Sequence, residues 1–324
     1  RRELDAAQRS QHDALQLFRE VGDVRGQAFA VSELGTIARV RGELDAAQRS
    51  QHDALQLFRE VGDVQCQAFA VSELGTIARV RGELGAAQRS QHDALQLFRE
   101  VGSVRGQADA MSALGSIARV RGELDAAQRY QRDALQLYRE VGDRLGQAYA
   151  LTELGSIAQV RGELDAAQRY QHDALQLYRE VGSVQGQADA MSALGSIARV
   201  RGELDAAQRY QHDALQLFRE VGSVQGQANV FTELSKLAQM QKETKQAEAY
   251  AQEALQLFRE LKVPEGQAEA LRELGAIAEQ TGDLVLAASY LQEALALLQA
   301  IGAKLDVTKT EELLKRVRAQ QAAA

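Results

Sequence analysis

Residues 41–80, RGELDAAQRSQHDALQLFREVGDVQCQAFAVSELGTIARV, decide the fold because the rest of the chain copies them. Residues 1–40 differ from this stretch at only three positions, and residues 81–240 contain four further copies without an insertion or a deletion. Residues 241–280 and 281–324 are more divergent copies in the same register. A fixed period of 40 residues predicts a stacked array of repeat units rather than one globular core.

Each copy contains two stretches whose apolar residues recur three or four positions apart, which predicts two amphipathic helices. Helix B covers residues 43–61 and helix A covers residues 64–81. Gly42 and Gly62 lie where a helix is expected to end, as C-terminal glycines commonly do. Side chains suited to N-cap helix A follow the second glycine at Asp23, Asp63, Ser103, Asp143, Ser183 and Ser223. Because the connections are short, consecutive helices are expected to be antiparallel, in an all-α chain.

Composition excludes several classes of function. The net charge of −7 and the pI of about 5.5 argue against a nucleic-acid-binding protein, which needs a basic face. No apolar run approaches the ~20 residues that a membrane-spanning helix requires, so we expect no membrane partner. Cys66 is the single cysteine, so an intrachain disulfide is impossible and a cytoplasmic location is expected.

The outer face of helix B is charged. Asp45 and Arg49 are four residues apart, which predicts an ion pair within the helix. The histidines occupy one position in five of the copies, at His12, His52, His92, His172 and His212. Neighbouring copies would lie about 10 Å apart, whereas a metal ion lies about 2 Å from its ligands. We therefore expect solvated side chains here, with no metal ion and no other cofactor.

The repeated residues resemble those of the tetratricopeptide repeat (TPR). The resemblance rests on Leu34-Gly35, Ala38, Gly42, Leu44, Ala47 and Ala54-Leu55. The 40-residue period is similar to a long-helix subtype found in spindle-orientation scaffolds and bacterial signalling proteins. This resemblance implies a right-handed α-solenoid of antiparallel helical hairpins, whose concave groove is lined by A helices and binds a peptide or protein. A glycine in mid-helix, such as Gly35, costs about 1 kcal/mol against alanine, which predicts a close helix crossing.

The register of the repeats predicts three regions. Residues 1–22 form an unpaired B helix of a truncated repeat, and residues 23–302 form seven helical-hairpin repeats of 40 residues each. Residues 303–324 form a C-terminal capping helix and tail. A solenoid needs such a polar cap because its last repeat has no neighbour to cover it.

One stripe on helix A varies among copies that are otherwise nearly identical. The candidate groove residues on it are Phe29, Glu33, Thr36, Arg39, Phe69, Glu73, Arg79, Asp109, Arg119, Tyr149, Glu153, Asp189 and Arg199. Aromatic and arginine side chains commonly dominate binding energy. A row of acids would suit a basic or amphipathic segment, while a row of arginines would bind carboxylates. The alternatives are an ordinary solvated helix face and drift among recent duplications.

No arrangement of residues predicts an enzyme, because each residue type recurs along the array instead of converging on one cleft. The leading interpretation is a non-enzymatic scaffold that binds a protein or peptide segment. One alternative is the sensor arm of a larger nucleotide-binding switch protein. Others are a self-assembly module that associates end to end and a recent amplification with little selected function.

Overall fold

The computed structural model describes the backbone of residues 2–323 and the side chains of residues 4–303 and 306–322. All regular structure in this range is helical and no strand occurs in it, which confirms the all-α prediction. The helices are α1 (Arg2–Glu20), α2 (Val24–Val40), α3 (Leu44–Glu60), α4 (Val64–Val80), α5 (Leu84–Glu100), α6 (Val104–Val120), α7 (Leu124–Glu140), α8 (Arg144–Val160), α9 (Leu164–Glu180), α10 (Val184–Val200), α11 (Leu204–Glu220), α12 (Val224–Met240), α13 (Thr244–Leu261), α14 (Pro264–Thr281), α15 (Leu284–Ala300) and α16 (Lys304–Ala323). Even-numbered helices up to α14 are the A helices, and odd-numbered helices are the B helices.

The predicted helix ends are confirmed. Each of the six predicted N-cap side chains accepts a hydrogen bond from the backbone N–H three residues later, for example at 2.9 Å for Asp23 and 3.3 Å for Ser103. Gly42 has a φ of 79°, in the left-handed region that glycine tolerates best. Lys242 and Lys262 adopt the same conformation, with φ of 62° and 56°, where earlier copies have glycine.

The chain divides into two compact units, Arg1–Arg161 and Gly162–Ala324. In the first unit, each of the helices α1 to α8 packs against its neighbours in sequence, and successive A helices also touch. The helices α9 to α16 pack in the same way within the second unit. There, Leu314 and Val317 of α16 are buried against α14 and α15. The three predicted regions remain a prediction, and Arg1 and Ala324, at their outer ends, lie outside the described residues.

The mid-helix glycine of an A helix, which predicts a close helix crossing, faces a buried glutamine of the following B helix that fills the space of the missing side chain. The amide of Gln131 donates to the carbonyl oxygen of Ser112 at 2.9 Å and accepts from its hydroxyl at 3.3 Å. A Cβ atom on Gly115 would lie 2.7 Å from the Nε2 atom of Gln131, which is closer than packed atoms approach. The same arrangement occurs at Gly35–Gln51, Gly75–Gln91 and Gly195–Gln211.

One repeat solves the crossing with different residues. Ser235 replaces the glycine, and the position of the glutamine, forty residues after Gln211, holds Ala251. Both residues are fully buried, and the Ser235 hydroxyl donates to the carbonyl oxygen of Ala247 at 2.9 Å. The smaller side chain on the B helix therefore leaves space for a larger one on the A helix.

Ion pairs on the outer surface join different helices. Asp45, which the sequence pairs with Arg49, instead binds Arg81 at the end of α4. The equivalent pairs are Arg41–Asp5, Arg161–Asp125 and Arg201–Asp165.

None of the helices in the described range has the length and apolar character needed to cross a membrane.

The packing of Gly115 against Gln131 predicts a coupled pair of substitutions. We expect Gly115→Ser alone to lower the free energy of unfolding by about 1–3 kcal/mol, because the new side chain overlaps the buried amide. Adding Gln131→Ala should recover more than half of this loss, because it recreates the pairing of Ser235 with Ala251. Urea denaturation followed by circular dichroism measures both variants and the Gln131→Ala control. Losses that simply add would contradict the coupling.

Candidate functional site

The predicted groove residues share one face of the A helices. Their spacings of three and four residues place Phe29, Glu33 and Thr36 on successive turns of α2. We call this surface the A-helix stripe, and it comprises positions 29, 33, 36 and 39 together with the positions forty residues apart from them. All the candidate residues on it are exposed or partly exposed. Each of the two compact units carries its own part of the stripe.

Exposed aromatic rings form part of the stripe in the first unit. Phe29 and Phe69 are 45% and 46% exposed, although both are large apolar side chains. Each ring packs edge-on against a buried ring of the next B helix: Phe29 against Phe58 at 5.3 Å between centroids, and Phe69 against Phe98 at 5.0 Å. These contacts hold the exposed rings in place. Tyr149, at the equivalent position of α8, is 53% exposed.

An aspartate replaces the aromatic residue in the third copy. The Tyr138 hydroxyl donates to the Oδ1 atom of Asp109 at 2.7 Å. Loss of hydration between the helices raises the pKa of Asp109 above its ordinary value, despite this hydrogen bond. Burial and the adjacent Asp109 also raise the pKa of Tyr138, so its hydroxyl remains protonated. In the second unit, Asp189 accepts from the side-chain amide of Gln185 at 3.3 Å.

The predicted acidic and arginine rows bind each other. Arg39 donates from Nε to Glu73 at 3.0 Å, and Arg119 donates in the same way to Glu153 at 2.9 Å. The partners are 34 residues apart, on successive A helices. Most arginines of the stripe are therefore already neutralised by the chain itself. Arg79 differs from them, because the residue 34 positions after it is Ala113.

The second unit carries a larger charged network, which the sequence analysis did not identify. Glu233 accepts from Arg199 at 3.0 Å, from the Ser196 hydroxyl at 3.1 Å and from Lys236 at 2.9 Å. Lys236 also donates to Glu269 at 2.8 Å. The available signal was Lys236 itself, because earlier copies have serine or threonine at its position.

Electrostatics in this network favour the charged forms. Burial raises the pKa of Glu233, but the positive charges of Lys236 and Arg199 outweigh it, so the pKa of that carboxyl is lowered. Burial likewise opposes the charge of Lys236, but Glu233 and Glu269 raise the pKa of its ammonium group. Both groups are therefore ionised at neutral pH.

The remaining candidates are less constrained. Glu33 is exposed on α2, and the Thr36 hydroxyl donates within the same helix to the carbonyl oxygen of Ser32 at 3.3 Å.

On the B helices, His92 packs edge-on against Tyr130 of the next repeat, at 6.3 Å between ring centroids. Among the side chains that the structure describes, no group of three or more histidine, cysteine or acidic residues is placed to hold a metal ion.

Comparison with protein families supports the sequence resemblance. Residues 1–184 match the family model described as the MalT-like TPR region. Residues 186–260 and 226–300 match the model of the tetratricopeptide repeat. No curated protein matches the chain.

Several solved structures are similar in fold. The apo form of RapI has a TM-score of 0.68 and 14% identity, with 86% of this chain and 99% of that chain covered. Aspartyl phosphate phosphatase F from Bacillus subtilis has a TM-score of 0.69 and 12% identity, over 88% of this chain and 74% of that chain. A tetratricopeptide repeat protein from Parabacteroides merdae ATCC 43184 has a TM-score of 0.60 and 19% identity, over 90% and 98% respectively. At these identities the similarity concerns the fold alone.

The lowered pKa of Glu233 predicts a stability that depends on pH. A carboxyl whose folded-state pKa lies below its unfolded value stabilises the fold above that unfolded value and loses this contribution as the pH falls. We expect Glu233→Gln to lower the free energy of unfolding by about 1–2 kcal/mol at pH 7. The difference from the unsubstituted chain should shrink as the pH falls below the ordinary glutamate value of 4.5.

Urea denaturation at a series of pH values measures this difference. Glu153→Gln is the matched control, because Glu153 binds one arginine in a more exposed pair and should cost less than about 1 kcal/mol. If Glu233→Gln lowered the free energy of unfolding equally at pH 7 and at pH 3, the result would contradict a lowered pKa of Glu233 in the folded chain.

Proposed function

Because the chain belongs to the tetratricopeptide repeat family, with a MalT-like TPR region at residues 1–184, we propose that it is a non-catalytic interaction module. Its ligand is a protein or peptide segment that lies along the A-helix stripe. This is the face that lines the concave groove in the family. We place the module in the cytoplasm, because its single cysteine suits a reducing compartment.

The observation that carries this proposal is the exposure of Phe29 and Phe69. A large aromatic ring that stays nearly half in water buries only part of its area on folding, so the exposed part remains for a ligand to bury. Each ring is already held by a buried ring beneath it, so little conformational freedom is lost on binding. Exposed, preorganised aromatic side chains are the usual anchors of protein interfaces.

A second candidate function is that of a regulatory arm in a larger switch protein, where the stripe would bind an effector. The match of residues 1–184 to a MalT-like TPR region favours it. Binding and regulation use the same surface, so this candidate differs from the first in what the ligand controls. The coding sequence upstream of Arg1 tests it, because a nucleotide-binding domain encoded there would support a switch and an unrelated reading frame would oppose it.

Replacing the exposed rings with aspartate tests the binding surface. Phe29→Asp with Phe69→Asp reproduces the residue that the chain already has at Asp109 and Asp189, so the fold should be retained. We expect binding of peptides selected from a displayed random library to weaken at least about tenfold, because aromatic anchors are typically worth 2 kcal/mol or more. Fluorescence anisotropy measures the affinity, and circular dichroism checks the fold.

The matched control is Gln56→Asp with Gln96→Asp, which adds the same charge to exposed positions of the B helices α3 and α5. This variant should bind as the unsubstituted chain does. Equal binding by both double variants, or a library from which the chain selects no peptide, would overturn the proposed function.

A further inference from the structure

Arg79 is an exception within the arginine row of the first unit. Arg39 and Arg119, forty residues before and after it, each bind a glutamate of the next A helix. At the corresponding place for Arg79 the next A helix has Ala113, whose side chain carries no charge. Arg79 is exposed, and no carboxylate among the described side chains binds it. Its positive charge is therefore not neutralised within the unit.

The absence of an acid at position 113 is linked to a change one turn earlier. The third copy has its acid at Asp109 instead, whereas the first, second and fourth copies have glutamate at the later position. The Asp109 carboxylate accepts the hydroxyl of Tyr138 at 2.7 Å. The acid of α6 is thus engaged with the B helix behind it, and Arg79 keeps no acidic partner.

The second unit shows how the same pair of positions binds a carboxylate. Arg199 and Ser196 are the counterparts of Arg79 and Thr76, one helical turn apart on the A helix. Both donate to the same oxygen of Glu233, at 3.0 Å and 3.1 Å. Thr76 has a hydroxyl at the position of Ser196. That hydroxyl donates to the carbonyl oxygen of Ser72 at 3.2 Å, so it has to turn away from the helix backbone to meet a carboxylate that Arg79 binds.

We propose that Arg79 and Thr76 bind the carboxylate of an acidic side chain on the ligand segment. This inference rests on the proposed function and specifies the ligand's chemistry: an acidic residue for Arg79, near an apolar residue for Phe69 on the same helix. A guanidinium group and a hydroxyl together provide charge-assisted hydrogen bonds to one carboxylate. Arg39 and Arg119 are poorer sites, because a ligand would first have to displace their glutamates.

The first test needs no ligand. Ala113→Glu supplies a carboxylate from the chain itself, and Ala113→Gln is its uncharged control. We expect the introduced carboxyl to have a lower pKa with Arg79 present than in a chain that also carries Arg79→Gln. Carbon-13 NMR of labelled glutamate side chains measures this difference. The same pKa in both backgrounds would show that Arg79 does not bind a carboxylate at this position, and would overturn the inference.

The second test uses a displayed library of random peptides. We expect the unsubstituted chain and Ala113→Gln to enrich peptides with an acidic residue at one fixed position. Ala113→Glu should bind those peptides about tenfold more weakly, because its own carboxylate occupies Arg79. Enriched peptides without an acidic preference would overturn the carboxylate assignment and leave the proposed function standing. A chain that enriches no peptide would overturn both.

Discussion

The fit between a small residue in the middle of the A helix and a buried residue of the following B helix is the constraint on which the repeat depends. At Gly115 the amide of Gln131 takes the space of a side chain and bonds to the backbone of the A helix one turn earlier. A fully buried glutamine without such a partner would destabilise the core. The glycine and the glutamine therefore fix the distance between the helices and the rotation of the A helix about its axis. That rotation decides which residues form the A-helix stripe.

The constraint can be met by shape as well as by hydrogen bonds. At Ser235 and Ala251 the larger residue is on the A helix and the smaller one is on the B helix. At Gly275 the partner is apolar, since a Cβ there would lie 3.0 Å from Cγ of Leu291. The hydrogen bond of the glutamine is thus replaceable, whereas the side chains of the A helix and the B helix together still fill the space between the two helices. This explains why the more divergent copies in the second unit retain the same helix pairing.

Much of the fold follows from local sequence patterns, while the partners of the charged residues do not. The helix limits and N-caps depend on residues a few positions apart, so the pattern around Asp23 and Gly42 predicts them. The partner of Asp45 depends on how far one helix lies from the next. Sequence periodicity reports positions within one helix, so it favoured Arg49, and the structure instead brings Arg81 to Asp45. The candidate arginine and acidic rows appeared independent for the same reason.

Near-identity of the copies has a consequence for specificity. A repeated arginine and a repeated glutamate that meet between neighbours, as Arg39 and Glu73 do, neutralise each other wherever both are present. A charged ligand gains little at such a pair, because it must break an existing interaction and desolvate both groups. We therefore expect the contacts that select a ligand to lie where one copy differs from the next. In the first unit the loss of an acid at Ala113 leaves Arg79 without its usual partner, so one substitution distinguishes a single point on an otherwise uniform surface.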